Sequence, residues 1–489
     1  MSETVDRSGE RDLATELPSK YLPAVEYRDL PEPVAMRKII GASVIILATA
    51  IGSGEFVLWP YITTQVGLVF IWGAVLGFGI QFFINMEIER YTLATGESVV
   101  TGFARFWKPW WWLFIVFALA QNFWPGWATG AATTLSFAFN FGEGAIVPVT
   151  LCGLIAIGIA LTASPVVYQT VEKIQATMVA LIMVFVVLAV ILASSAEAWG
   201  TLITDFRYVG RVPLDVPGLS VAAILGALAF AGAGGANNLV QSNYIRDKGM
   251  GMGQRIPRLV SPITGEDQAA PSTGYMFRTT DENMRRWNGW WRLANLEQFF
   301  TFFCIGLATL IVFSVVAYSL VPAGQVNSSD FEFIRFQGDV LAEQIAPWFA
   351  FFFFMAGTFA LFSTNLGIID YTCRLAADQI KINALSRSNF WSESKIYAGL
   401  VWAMIAVGAS ILLLGLDQPL ILVIIASSIA GVMMFIYSML LIQLNRKALP
   451  APIKIRGIRL GVMILSVLFF GFFSMLLLWD QISSNLLGG

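Results

Sequence analysis

The sequence predicts an all-α polytopic membrane protein. It has eleven transmembrane helices, ten of them forming a 5+5 inverted repeat in which helices one and six are broken. Three observations lead there. Of the 489 residues, 57% are hydrophobic and 13% charged, with a mean hydropathy of +0.70, which is more apolar surface than a soluble fold of this length has use for. The apolar stretches reach the roughly 20 residues that a bilayer crossing needs. Two of them are interrupted in corresponding places by glycine-rich polar runs, Ala50-Ile-Gly-Ser-Gly-Glu-Phe56 and Ala231-Gly-Ala-Gly-Gly-Ala-Asn-Asn-Leu239.

In chain order, residues 1–35 are polar and carry Pro18, Pro23, Pro31 and Pro33. Without an apolar h-region they are no signal peptide, and a cytoplasmic, partly disordered tail is expected. The first five-helix repeat occupies 36–194, with spans at 37–64, 66–90, 110–138, 146–163 and 172–194. An extracellular loop follows at 195–218. The second repeat occupies 219–444, with spans at 219–244, 293–321, 347–372, 395–416 and 419–443. Its cytoplasmic loop, 245–292, lacks periodicity and reads as an irregular connector with an interfacial helix near Met284–Trp291. Residues 445–489 hold the eleventh helix, at 459–480, and a tail. Trp107, Trp110, Trp111 and Trp112, and again Trp287, Trp290 and Trp291, read as an interfacial aromatic belt.

Orientation follows from the basic residues. Of the 30 Lys and Arg, all but Arg207, Arg211 and Arg335 fall in the tail and in every second connection. The bias places the N-terminus in the cytoplasm and the C-terminus outside a multi-pass cell-membrane protein. Several function classes drop out. No basic patch with interleaved aromatics points to nucleic acid. Cys152, Cys304 and Cys373 have neither metal nor disulfide spacing. Histidine is absent, which removes imidazole as ligand, base or relay. No nucleophile–base pair and no sizeable extramembrane domain suggests an enzyme or receptor, and no cofactor is expected. The lipid bilayer and a small ion or molecule are the expected partners, and the oligomeric state is not legible.

The two interruptions carry the chemistry. Gly loses backbone entropy and Ser competes for backbone bonds, so Gly52-Ser53-Gly54 weakens a helix at that depth, and the carboxylate of Glu55 stands beside it. An ionisable group inside a span marks a functional site, and paired Gly-broken spans mark a transporter site. Unwound backbone must face protein or a cavity, since an unpaired amide in lipid costs several kcal/mol. Carbonyls at such a break favour a cation and amides an anion. Glu55, Asn237 and Asn238 are therefore the expected substrate ligands, with Ser53 and backbone oxygens near Gly52 and Gly232. Gln241 and Ser242 follow Asn237 and Asn238 by four residues and share their faces. The competing structural reading makes Glu55 a helix cap and the glycines close-packing positions. Asp370, Glu297, Asn365 and Gln241 are candidate ion or proton carriers. Gln121, Asn122 and Thr364 read as interhelical glue. Glu87, Glu89 and Arg90 read as an ion-pair network at the inner mouth.

These residues resemble the Nramp family of divalent-metal transporters, which have the leucine-transporter fold. The resemblance spans about residues 36–450. The stretch Glu89-Arg-Tyr-Thr-Leu-Ala-Thr-Gly-Glu97 is similar to that family's Arg-Leu-Gly-Val-Val-Thr-Gly, and Asn445-Arg-Lys is similar to its span-ten end. The family binds metal through Asp-Pro-Gly-Asn and Met-Pro-His-Asn. Here those positions read Gly52-Ser-Gly-Glu55 and Gly235-Ala-Asn-Asn238, so only Gly54 and Asn238 survive. The family's acidic pair of span three falls on Trp124 and Trp127. The resemblance thus implies a distant, atypical member. The loss of methionine sulfur removes selectivity for softer metals. Carboxylate, amide and carbonyl oxygens suit hard cations such as Mg²⁺ or Mn²⁺. The expected function is secondary active transport of such a divalent cation, which is the substrate, by alternating access. Coupling protons would load on Glu55 or Asp370. The alternative is Na⁺- or H⁺-coupled symport of a small organic solute, for which the side-chain-free glycines leave room.

Overall fold

Helices carry nearly all of the regular structure in the computed structural model, which describes residues 12–36, 41–163, 166–216, 219–257, 259, 273–321, 324 and 331–486. They are α1 (Ala42–Val66), α2 (Ile71–Thr95), α3 (Val99–Phe106), α4 (Trp110–Asn122), α5 (Gly126–Phe139), α6 (Ile146–Ala163), α7 (Val167–Leu192) and α8 (Ala196–Asp205). The second half continues with α9 (Val221–Ala229), α10 (Ala236–Lys248), α11 (Asp281–Leu320), α12 (Glu332–Gln344), α13 (Pro347–Asn383), α14 (Glu393–Leu413), α15 (Pro419–Lys447) and α16 (Ile458–Leu486). Among the described residues nine of these, α1, α2, α6, α7, α11 and α13 to α16, are long and apolar enough to cross a membrane.

The other two expected spans are each divided in two. Span six consists of α9 and α10, separated at Phe230–Gly235, where Gly232, Gly234 and Gly235 have φ of 110°, 64° and 58°. Side chains rarely adopt such values, so the glycines are what permits this break. Span three consists of α4 and α5, although 110–138 reads as one span in the sequence. Pro125 divides it, because proline lacks the N–H that the helix ladder needs.

Span one departs from expectation in the opposite direction. It is helical from Ala42 to Val66, and across Ile51–Leu58 it widens into a π-helix instead of unwinding. The cause is a side chain inserted into its ladder. Thr364 Oγ1 donates to Thr49 O at 2.9 Å and accepts from Gly52 N at 3.1 Å, and such insertion shifts a helix out of α register. The π register keeps the amides paired within the helix; Trp59 N–H, for example, reaches Gly54 O.

The packing shows the inverted repeat. Most contacts among the first ten spans have a counterpart five spans on. Span one lies on spans five and eight as span six lies on ten and three. Span two meets six as seven meets one, and five meets eight as ten meets three. Within the N-terminal tail, residues 12–36 are ordered against the bundle rather than disordered. Leu17, Val25 and Leu30 are buried, and Leu13 and Tyr27 bridge to Glu26 and Met276. The helix expected near Met284–Trp291 exists, but it runs unbroken into span seven as α11. Trp287 and Trp290 are buried rather than belt residues, because the tail packs over them. Trp107 and Trp112 are exposed, as a belt requires.

Candidate functional site

Spans one and six meet backbone to backbone. A methyl group at Gly54 would overlap Phe230 O, and one at Gly52 would overlap Ala360 O. Both glycines therefore serve close approach, the packing role weighed in the sequence. Glu55 follows directly. Its side chain is fully buried, and neither carboxylate oxygen has a hydrogen-bond partner among the described residues. Ser53 donates to Ala50 O at 3.2 Å, which commits its hydroxyl to its own helix.

The break in span six is satisfied from outside. Gln81 Nε2, on α2, donates to Ala229 O at 2.8 Å and to Ala231 O at 2.7 Å, while its Oε1 accepts from Gly234 N at 3.0 Å. Gly232 packs against the same side chain. Gln121 Oε1, on α4, accepts from Ala236 N at 3.0 Å, and Trp59 Nε1 donates to Ala227 O at 2.9 Å. One glutamine thus replaces three lost ladder bonds, as buried backbone requires.

The other predicted ligands are distributed along the helices. Asn237 Nδ2 reaches Ile46 O at 3.5 Å, and its Oδ1 is unpartnered among the described residues. Ile46 precedes Glu55 by nine positions on α1, about two and a half turns. The structure therefore does not gather Asn237 and Glu55 into one cluster. Asn238 donates to Asn85 Oδ1 at 2.6 Å and accepts from Tyr437 OH at 3.0 Å, so it ties span six to spans two and ten. Asp370 is held by Tyr244 OH at 2.8 Å, Tyr397 OH at 2.6 Å and Arg374 Nη2 at 2.8 Å. Glu297 accepts from Gly41 N, Ser43 N and Ser43 Oγ, and so caps the start of α1. Gln241 bonds Glu89 and Gln298. Asn365 is buried on α13 next to Thr364. Among the described residues no group of three or more His, Cys, Asp or Glu is placed to hold a metal.

Solved structures match this arrangement over nearly its whole length. A point variant of the Eremococcus coleocola manganese transporter superimposes with a TM-score of 0.66 at 12% identity, covering 96% of this chain and 92% of that one. The same transporter in complex with an aromatic bis-isothiourea substituted compound gives 0.67 at 11% identity, covering 97% and 92%. The chain has the fold of that manganese transporter. No family model and no curated protein matches it by sequence.

Within the manganese-transporter fold, two cavities open near opposite ends of α6. One of about 690 Å³ is lined by Glu143, Glu332, Asp339 and Asp417, with Arg335 as its basic member. The other, of about 460 Å³, is lined by Tyr168, Glu172, Asp247 and Lys248. Glu55 lines neither.

Gln81, Asn85 and Glu89 escape the sequence reading as a set. They recur at four-residue intervals on one face of α2, and all three are buried. Glu89 does not join the expected ion-pair network. Arg90 instead pairs with Glu87, at 2.7 Å. Glu89 points the other way, because neighbouring helix positions face apart by about 100°.

Proposed function

We propose that the chain is a secondary active transporter of a hard divalent metal cation such as Mg²⁺ or Mn²⁺, working by alternating access, and that it is a distant member of the Nramp family. The observation that carries the reading is Glu55. It is a buried carboxylate whose two oxygens have no partner among the described residues, seated where the π-helical part of span one touches the break of span six. An uncompensated charge there costs several kcal/mol, and a cation removes that cost. The fold shared with a manganese transporter supports the reading, as does the acid-lined cavity at one end, which concentrates cations. Glu55 is the proposed ligand at the junction, with backbone oxygens near Gly52 and Gly232. Asn237, whose Oδ1 is unpartnered among the described residues and which reaches Ile46 further along span one, is proposed to meet the ion on its path. Asn238 and Ser53 support them. Asn365 and Gln241 lie on the proposed path. The bias of the basic residues supports a cytoplasmic N-terminus and an outside C-terminus.

Uptake of Mg²⁺, Mn²⁺ and Ca²⁺ by reconstituted protein tests this. Wild type is expected to carry at least one of them, and Glu55→Gln to lose it with an affinity drop of at least about a hundredfold, the scale for removing one partner of a buried pair. Transport of none of the three would give the site to the organic-solute alternative. Equal transport by Glu55→Gln would remove Glu55 from the ion's ligands and place the site elsewhere.

A further inference from the structure

A second polar cluster lies beyond the break, toward the end of the bundle that carries most of the Lys and Arg. Gln241 is six residues past Gly235, roughly 9 Å along α10 at 1.5 Å per residue. Its Nε2 donates to Glu89 Oε1 on α2 and to Gln298 Oε1 on α11, the latter at 3.0 Å. Gln298 Oε1 also accepts from Ser43 Oγ on α1, which lies equally against Glu297 Oε2. Two carboxylates from different spans are thus joined through a serine and two glutamines, and all five residues are at least nine-tenths buried. Among the described residues neither carboxylate forms an ion pair. Arg459 acts on Glu89 and Lys248 on Glu297 only at longer range. Arg459 is engaged by Glu87 at 3.7 Å and by Asn295, and Lys248 by Glu172 at 2.6 Å.

The cluster is unfinished. Glu89 Oε2 and Gln241 Oε1 are buried acceptors without a partner, and Gln298 Nε2 and Asn85 Nδ2 are buried donors without one, among the described residues. Native interiors rarely leave such groups unpaired, so a water or an ion is expected to complete them. Free oxygens fit a cation directly, and free amide donors fit the acceptor side of its coordinated water. The donor set is all oxygen, with two negative charges and no sulfur or imidazole, which is the chemistry of a hard dication that keeps part of its water shell.

We propose that Glu89, Glu297, Gln241 and Ser43 form a second divalent-cation position, one that an ion occupies after leaving the Glu55 junction. The inference rests on the transport reading for its place in the path but not for its ligands. Its test is Mn²⁺ counting by equilibrium binding and electron paramagnetic resonance on purified full-length protein. Wild type is expected to bind two Mn²⁺ per chain. Glu89→Gln keeps an acceptor for Gln241 and should bind one, with at least a hundredfold loss at the second position, while Glu89→Asp should be intermediate. Glu55→Gln should also bind one, and the double variant none. If Glu297→Gln fails to fold because its cap on α1 is lost, the Glu89 variants still decide. Binding that is lost in Glu55→Gln but unchanged in Glu89→Gln would overturn the second position and leave the transport reading standing. A single Mn²⁺ per wild-type chain would overturn it too, even if Glu89→Gln abolished a proton uptake, because the pair would then store protons instead.

Discussion

Glu55 and Asp370 are both fully buried acids in apolar spans, and their surroundings give them opposite duties. Asp370 is neutralised by Arg374 and hydrogen-bonded by two tyrosines, while Arg374 also pairs with Asp247. Removing one member of such a network leaves a charge uncompensated, at about 3–5 kcal/mol. Asp370→Asn is therefore expected to lower the unfolding temperature markedly, whereas Glu55→Gln, which has no partner to strand, should hold or raise it. Thermal unfolding of both variants in detergent separates the two roles. A third acid, Glu97, reports on pH. Burial alone would push the Glu97 carboxyl up, but Arg105 at 2.5 Å, with Tyr91 OH and Gly274 N–H, outweighs burial and holds it below its ordinary 4.5. A depressed folded value means stability that is fully present above pH 4.5 and is lost as pH falls through the lowered value. Acid unfolding of wild type should show this loss, and Glu97→Gln should be less stable at neutral pH with a flatter acid limb. Glu55 was legible in the sequence as a charge beside two glycines. Arg374, four positions after Asp370 on α13, was a local signal that Asp370 is satisfied, but its two tyrosine partners were not legible, because they come from α10 and α14.

At the scale of elements, the broken span six was legible because three of its glycines take positive φ, which a local sequence signal can announce. The state of span one was not. Gly52 and Gly54 mark a weak helix, but the π register depends on Thr364, more than 300 positions away in the chain. The split of span three had a local signal in Trp124-Pro-Gly126 that a search for apolar length passes over. Two variants test who holds these elements. Thr364→Val removes the hydroxyl inserted between Thr49 O and Gly52 N–H and is expected to cost about 1–3 kcal/mol as a lost buried partner. Gln81→Leu strands Ala229 O, Ala231 O and Gly234 N together, so its penalty should be larger, with reduced folded yield. If Gln81→Leu melts like wild type, the break has another source of support.

For the molecule as a whole, the alternating basic connections and the two interruptions made the inverted repeat legible, because both are properties of topology rather than of contacts. The ordered tail was not legible, since its anchors are scattered over the chain. Arg105 donates to Pro18 O and Pro23 O at 3.1 and 2.9 Å. Asn283 accepts from Leu30 N at 3.0 Å, Arg286 donates to Leu30 O at 2.8 Å, and Trp290 Nε1 donates to Pro31 O at 2.8 Å. The strap therefore bridges α3 and α11 before entering α1, the helix that carries Glu55. The anchors are side chains on backbone, each costing about 1–3 kcal/mol to leave unpaired when buried. Asn283→Ala combined with Trp290→Phe removes two of them while sparing the Glu97–Arg105 pair. Every 1.4 kcal/mol is tenfold in an opening equilibrium, so amide hydrogen exchange in residues 24–34 should accelerate at least tenfold. Exchange in α13, away from its last turn where Ile382 packs with Leu22 of the tail, should not change. Equal acceleration in both regions would mean that the strap stabilises the whole fold, and no acceleration in either would show that its buried side chains and the remaining arginine anchors suffice to hold it.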